Sequence, residues 1–298
     1  MKRKINRVGA NTLTVSLPSV WVKKHHLRAG QEINLEESST GLLLSAERSI
    51  SVPKTAQITI PSVQHFAKRL LFLPYVKGFE EIRVNFHDKE TFEKIQQTAA
   101  LLPGFEITEQ GSDYCIIRAI AEEDQKQFEI MFKKLIFTVK LMGDELIEAL
   151  YNNDWKKLST IQTFGFSAHR MDIFCRRIIN KGTIQTLGKE TSLYFACRTL
   201  EGITDDYNDI CIHLLAIKKP FSKEINEMIK IVNKHYEYFM KVYLENKKEE
   251  SVPFRERTNQ IIKDEFLPAI QKSKYPLVAT YCLFQIIKME EIIEDSVW

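Results

Sequence analysis

Two sets of charged side chains in this chain have residue types and spacings that can do chemistry. The first is basic: Lys2, Arg3, Lys4, Arg7, Lys23, Lys24 and Arg28 all precede the first acid, Glu32. Positive charge gathered on one short stretch attracts a polyanion at long range and neutralises phosphates on contact. The formal charge of the whole chain is only +3, so the case for double-stranded DNA rests on distribution and not on net charge. The second set is acidic: Glu201, Asp205 and Asp209, then Glu290 and Glu294, each one helical turn from the next. Carboxylates stacked this way repel unless a cation lies between them. A hard or borderline metal ion with oxygen ligands would serve, and so would a Lys or Arg of a partner.

Other chemistry is thinly represented. Cys115, Cys175, Cys197, Cys211 and Cys282 are scattered, with no close pair of zinc-site spacing. They read as reduced core residues of a cytosolic protein. The histidines form no metal motif, and neither a phosphate-cradling glycine loop nor a nucleophile motif occurs. An enzyme is therefore disfavoured; a metal-dependent hydrolase on the acidic ridge is the one enzymatic reading left. Apolar runs fall far short of the roughly 18 residues a membrane span needs, and no signal-peptide stretch opens the chain. A cytoplasmic protein without membrane insertion is expected.

The elements that position these residues can be read from periodicity. Lys2–Val8 and Thr12–Leu17 have half-buried strand character, joined by Gly9-Ala10-Asn11, which is hairpin-turn chemistry. Pro18 opens a short helix over Ser19–His26, and Ala29-Gly30 ends it. Two further strands, Gln31–Glu36 and Gly41–Ala46, flank the polar turn Ser38-Ser39-Thr40. Some 46 residues of this kind are too few for an independent core, so dimerisation is the expected remedy.

Residues 49–121 predict a small α/β layer. Strands are expected at Ala56–Ile60, Glu81–Phe86, Phe105–Glu109 and Tyr114–Ile120, with helices at Val63–Leu73 and Lys89–Leu102; a ferredoxin-like arrangement is one candidate. From Glu122 onward the strand signal disappears. Six helices are expected near 122–151, 154–181, 189–217, 221–247, 254–273 and 276–297. A shift of 89 residues sets Cys197 on Ile286, Leu200 on Met289, Ile203 on Ile292 and Glu201 on Glu290, which suggests a duplicated three-helix bundle. With 100° per residue, Leu193, Ala196, Leu200, Ile203, Tyr207, Cys211 and Leu214 form one buried stripe. Glu201, Asp205 and Asp209 then fall at its margin or back, within reach of water.

Two resemblances carry these readings further. Arg3-Lys4-Ile5, Val8-Gly9, Thr12-Leu13-Thr14-Val15-Ser16-Leu17-Pro18 and Leu27-Arg28-Ala29-Gly30-Gln31-Glu32-Ile33 resemble the AbrB/SpoVT swapped-hairpin domain. That likeness implies two chains interlacing their hairpins as a homodimer, with Lys2, Arg3, Lys4, Arg7, Lys23, Lys24 and Arg28 toward DNA. Leu200-Glu201-Gly202-Ile203-Thr204-Asp205-Asp206 and Met289-Glu290-Glu291-Ile292-Ile293-Glu294-Asp295 resemble the glutamate–three–aspartate motifs of the PhoU family, with Glu294 where Asp is usual. Met171-Asp172 is a further PhoU-like fragment. This likeness implies a divalent or trivalent ion (Fe, Zn, Mn or Mg) at Glu201, Asp205, Asp209, Glu290 and Glu294.

The combined order resembles archaeal PhoU-type phosphate uptake regulators. It implies a multidomain α+β chain: a swapped-hairpin domain at 1–48, an α/β segment at 49–121, and a PhoU-like helical domain at 122–298 with repeats at 122–217 and 218–298. The function implied is a DNA-binding transcriptional regulator tied to phosphate homeostasis. The alternative is a non-DNA-binding adaptor that contacts a phosphate ABC-transporter ATPase or a sensor kinase.

Overall fold

The computed structural model describes residues 2–9, 11–38, 41–46, 54–184, 189–217 and 222–297. Ala10 and Ser39-Thr40 of the expected turns, the boundaries expected at 48/49 and 217/218, and Trp298 lie outside the described residues. The chain divides into two compact units, Met1–Lys54 and Thr55–Trp298. A small β region precedes a mostly helical part, an α+β chain. No helix among the described residues is long and apolar enough to cross a membrane.

The first unit holds two hairpins and a short helix. Strands β1 (Ile5–Val8) and β2 (Thr12–Val15) pair antiparallel around Gly9, whose φ of 72° is the left-handed conformation the tight turn needs. Helix α1 spans Ser19–Lys24, and β3 (Ile33–Ser38) pairs with β4 (Gly41–Ala46). In the first hairpin the register sets Ile5 opposite Val15 and Arg7 opposite Leu13, so these four share one face. Val8 joins Asn6, Thr12 and Thr14 on the other face, because Ile5 and Val8 are an odd number of residues apart. In the second hairpin Ile33, Leu35, Leu42 and Leu44 share a face. None of the described side chains of this unit is buried; Ile5 and Leu13 are 68% and 64% exposed.

The second unit begins with a four-stranded sheet made of β5 (Thr55–Ile60), β6 (Glu81–Phe86), β7 (Phe105–Gln110) and β8 (Tyr114–Ala119). Their order is β5-β6-β8-β7, with β5 and β6 parallel neighbours and the rest antiparallel. The ferredoxin-like candidate is thereby corrected. Here α2 (Arg69–Val76) carries the chain between adjacent parallel strands, and after α3 (Lys89–Ala99) the last two strands form a hairpin. Helix α2 also starts later than expected. Phe66 is extended (φ −75°, ψ 124°), which separates the 3-10 turn Val63–His65 from the helix. Pro74, with no N–H to offer Leu70, lies inside α2, which runs past the expected end at Leu73.

The long helices are α4 (Gln125–Asn152), α5 (Trp155–Lys181), α6 (Glu190–Ile217), α7 (Lys223–Leu244) and α10 (Pro276–Val297). Their starts are capped as the sequence allows. Asp124 and Gln127 make a reciprocal capping box on α4, Asp154 accepts from Lys156 and Lys157 at α5, and Ser222 accepts from Ile225 at α7. The expected fifth helix is broken into α8 (Ser251–Ile261), a π turn (Ile262–Phe266) and α9 (Leu267–Lys272). Pro268 is the physical reason for the break, since it gives no N–H to the turn before it. One hydrophobic core runs through these helices, and all five cysteines are buried and unbonded. Gly143 lets α4 approach α6 and α7 closely: a methyl there would meet Asn233 Oδ1 at 2.5 Å and the Tyr207 hydroxyl at 2.7 Å.

A second core lies under the sheet, and it takes Ile173 from α5. Helix α5 therefore buries two faces, one toward each core. Beside Ile173 stands Arg177, fully buried. Its Nε donates to Glu123 at 2.6 Å and one terminal nitrogen donates to the carbonyls of Tyr75 (2.9 Å) and Phe79 (2.7 Å). The other terminal nitrogen reaches Glu80 at 3.3 Å, while the guanidinium lies over the rings of Tyr75 and Phe105. Lys181 adds contacts to Glu80 and Glu123 at 2.8 and 2.6 Å.

Burial disfavours the charged form of Glu123, but hydrogen bonds and charge from Arg177 and Lys181 outweigh it and hold this carboxyl below the usual range. A depressed acid stabilises the fold above its unfolded-state pKa and loses that contribution as pH falls through the folded one. Arg177→Met should cost about 3–5 kcal/mol at neutral pH, because Glu123 is left charged and enclosed. Urea unfolding followed by circular dichroism measures this, and the deficit should shrink as pH falls and Glu123 of the variant takes up a proton.

Candidate functional site

The seven basic residues sit on the first unit, all of them exposed. Lys2, Arg3 and Lys4 lead into β1, and Arg7 is within it. Lys23 and Lys24 end α1, and Arg28 follows in the loop that Gly30 turns at φ 86°. Arg7 shares a face with Ile5, Leu13 and Val15, so a group covering those apolar side chains would meet its guanidinium at the rim. The rings of Trp21 on α1 and His25 just after it lie 5.0 Å apart, tilted by 44°, close in sequence to the lysine pair. Long flexible cations around a small backbone frame are suited to phosphate contacts.

The acidic set is not gathered into one ridge. Glu201 is buried, at 4% exposure, which corrects the expected water-facing margin. Of the expected stripe, Ala196, Leu200, Ile203, Tyr207, Cys211 and Leu214 are buried and Leu193 is half-buried. Because α6 packs against α4, α5 and α10 at once, its enclosed arc is wider than a single stripe. Asp205 and Asp209 are exposed and turn elsewhere. Asp205 lines a shallow groove with Arg198, Asp206 and Lys288, and Asp209 lies beside Tyr281. Glu290 and Glu294 share Arg255, at 3.5 and 3.1 Å.

What Glu201 meets is a cluster that sequence reasoning caught only at Asp172. Helix α5 offers His169, Asp172 and Arg176 along one side, and α6 offers Tyr194, Arg198 and Glu201. His169 Nδ1 lies 2.9 Å from Glu201 Oε1. Burial holds the histidine below its usual pKa range, so it is neutral at neutral pH. A carboxylate only accepts, so Nδ1 carries the proton and Nε2 is an acceptor, one without a hydrogen-bond partner among the described residues. Arg198 pairs with the second Glu201 oxygen. Arg176 grips Asp172 with two bonds of 2.7 and 2.5 Å and donates to the Tyr194 hydroxyl at 3.1 Å.

Ligand atoms of His169, Asp172 and Glu201 lie within 4.8 Å of one another, close enough for a metal ion to span. The oxygens are already committed. Both Asp172 oxygens accept from Arg176, and those of Glu201 meet His169 and Arg198. A metal would have to displace two guanidinium groups, and Arg255 already stands between Glu290 and Glu294. As they stand, the carboxylates of Asp172, Glu201, Glu290 and Glu294 are each held by an arginine. Arginine supplies the compensating charge that acids one turn apart require.

Asp206, next to Asp205 but in the buried phase, pairs with Lys288 at 2.7 Å, and the same ammonium donates to the Gly202 carbonyl at 2.8 Å. Neither residue was singled out from sequence; the available signal was an acid falling inside an apolar stripe. No protein-family model matches the chain, and no curated protein matches it.

Burial pushes the Asp206 carboxyl up to about 6, against the lowering effect of Lys288. An acid raised on folding stabilises nothing as pH climbs; the folded state loses stability between the unfolded and folded pKa values. Lys288→Met should drive the Asp206 pKa higher still and extend that loss to higher pH, read by carboxyl-carbon NMR titration. An unchanged Asp206 titration would contradict the pairing.

Proposed function

We propose that the chain is a DNA-binding transcriptional regulator that works as a homodimer through its amino-terminal unit. One observation carries the reading. Two hairpins expose apolar faces with no buried side chain among the described residues, and exposed Lys and Arg residues border them. An isolated two-stranded hairpin is marginal in water. A second copy of the same hairpins would cover Ile5, Leu13, Val15, Leu35 and Leu42 by self-complementary contact and double the basic surface in one step. The resemblance of residues 3–33 to AbrB/SpoVT swapped hairpins supports the same arrangement. The resemblance of residues 200–206 and 289–295 to PhoU motifs supports a link to phosphate homeostasis, with the helical part contacting a signal or a protein. A metal is not part of this proposal.

The adaptor reading keeps the dimer and removes the DNA. Ile130, Phe137 and Leu141, exposed along one side of α4, favour a protein contact there. Fluorescence anisotropy with a mixed-sequence duplex separates the two readings. The regulator should bind at low salt, with affinity falling steeply as salt rises. An Arg3/Lys4/Arg7 triple alanine variant should weaken binding and flatten the salt slope by about 2–3, near 0.9 for each phosphate that is no longer neutralised. No duplex affinity at low salt, or a triple variant that binds as wild type does, would overturn DNA binding and leave the adaptor.

A further inference from the structure

Helices α2, α5 and α6 each present one side to a cleft of about 400 Å³ within the second unit. On α2 the spacing is helical: Arg69, Phe72, Leu73, Val76 and Lys77 stand at i, i+3, i+4, i+7 and i+8. Two further interactions hold the wall in place. Asn180 of α5 donates to the Val76 carbonyl at 2.7 Å, and the Phe72 ring lies 4.8 Å from that of His169. The cleft therefore has an apolar side formed by α2 and Ile173, and a charged side formed by α5 and α6.

Its charges do not cancel. Arg69, Lys77, Arg176 and Arg198 line the cleft, with Glu201 as the acid on the wall and Asp172 behind Arg176. Four positive charges against two negative leave the lining itself a formal +2, with His169 neutral and Asp205 beside Arg198 just outside the lining. The two acids are consumed by Arg176 and Arg198. Arg69 and Lys77 are exposed at the mouth and make no ion pair among the described residues. A ligand that completes this site brings close to two negative charges and an apolar body for Phe72 and Leu73. A phosphate monoester carries a charge of about −1.5 to −2 at neutral pH, and a planar ring gives the body.

We infer that this cleft binds a small phosphate ester with a planar apolar group, its phosphate between Arg69 and Lys77 and its ring against Phe72. The site is independent of the amino-terminal basic residues, so it stands whether or not the chain binds DNA. Arg69 and Lys77 act as a pair of point charges at the rim, while the Arg176–Asp172 and Arg198–Glu201 pairs keep the far wall rigid and electropositive. Such rim cations strengthen the hold on phosphate more than they support the fold.

Phenyl phosphate is the probe, titrated calorimetrically into the full chain with Lys2, Arg3, Lys4, Arg7, Lys23, Lys24 and Arg28 all changed to alanine, so that the amino-terminal cations contribute nothing. The expected result is saturable one-to-one binding, at least about tenfold tighter than phenol. Adding Arg69→Gln and Lys77→Gln should weaken it by about tenfold or more, with thermal unfolding of the ligand-free protein unchanged. No saturable binding up to about 10 mM, or equal binding by the Arg69→Gln/Lys77→Gln protein, would overturn the site. Inorganic phosphate binding as tightly as phenyl phosphate would overturn the role given to the apolar wall.

Discussion

A guanidinium enclosed without water is tolerated only when its donors are satisfied and its charge is met, and Arg177 satisfies that constraint from four directions. Its partners come from the end of α2, the turn into β6, and the segment before α4. Lysine could not replace it, since one point charge cannot serve two carbonyls and two carboxylates in a plane. Together with Ile173, Asn180 and Lys181 of the same helix, this side chain joins the sheet layer to the helices. The position of α2 against α5 follows from it, and with that position the cleft between α2, α5 and α6.

The remaining buried charges obey the same constraint. Asp172 has Arg176, Glu201 has Arg198 and His169, and Asp206 has Lys288. Each pair joins neighbouring turns or neighbouring helices, so removing water from the acids fixes helix register as well as charge. The exposed pair Glu290 and Glu294 is closed the same way by Arg255. Residues 2–46 are the exception. There the unmet groups are apolar, and no described side chain of that unit is buried.

Periodicity made much of this legible. The long helices fall within a few residues of the expected spans, and Cys197, Leu200, Ile203, Ile286, Met289 and Ile292 are all buried as the 89-residue shift implies. Strand positions in the sheet layer were equally readable, because β6 alternates its burial along its whole length. Strand order was not, since a period of two says which face a residue takes and nothing about which strand lies beside it. Glu201 escaped because a helical wheel describes one helix, whereas its burial depends on three neighbours. Arg177 escaped for a related reason: Tyr75 is 102 residues away, and its carbonyl leaves no mark in the sequence.

The functional reading depends on what covers Ile5, Leu13 and Val15. Sedimentation equilibrium of the full chain beside its Leu13→Asp variant tests this most directly. A second copy as the cover predicts a wild-type mass of twice the chain across the micromolar range, and a variant that dissociates to single chains with its helical content intact. A wild-type protein that sediments as a single chain, or a variant that stays dimeric, would contradict it.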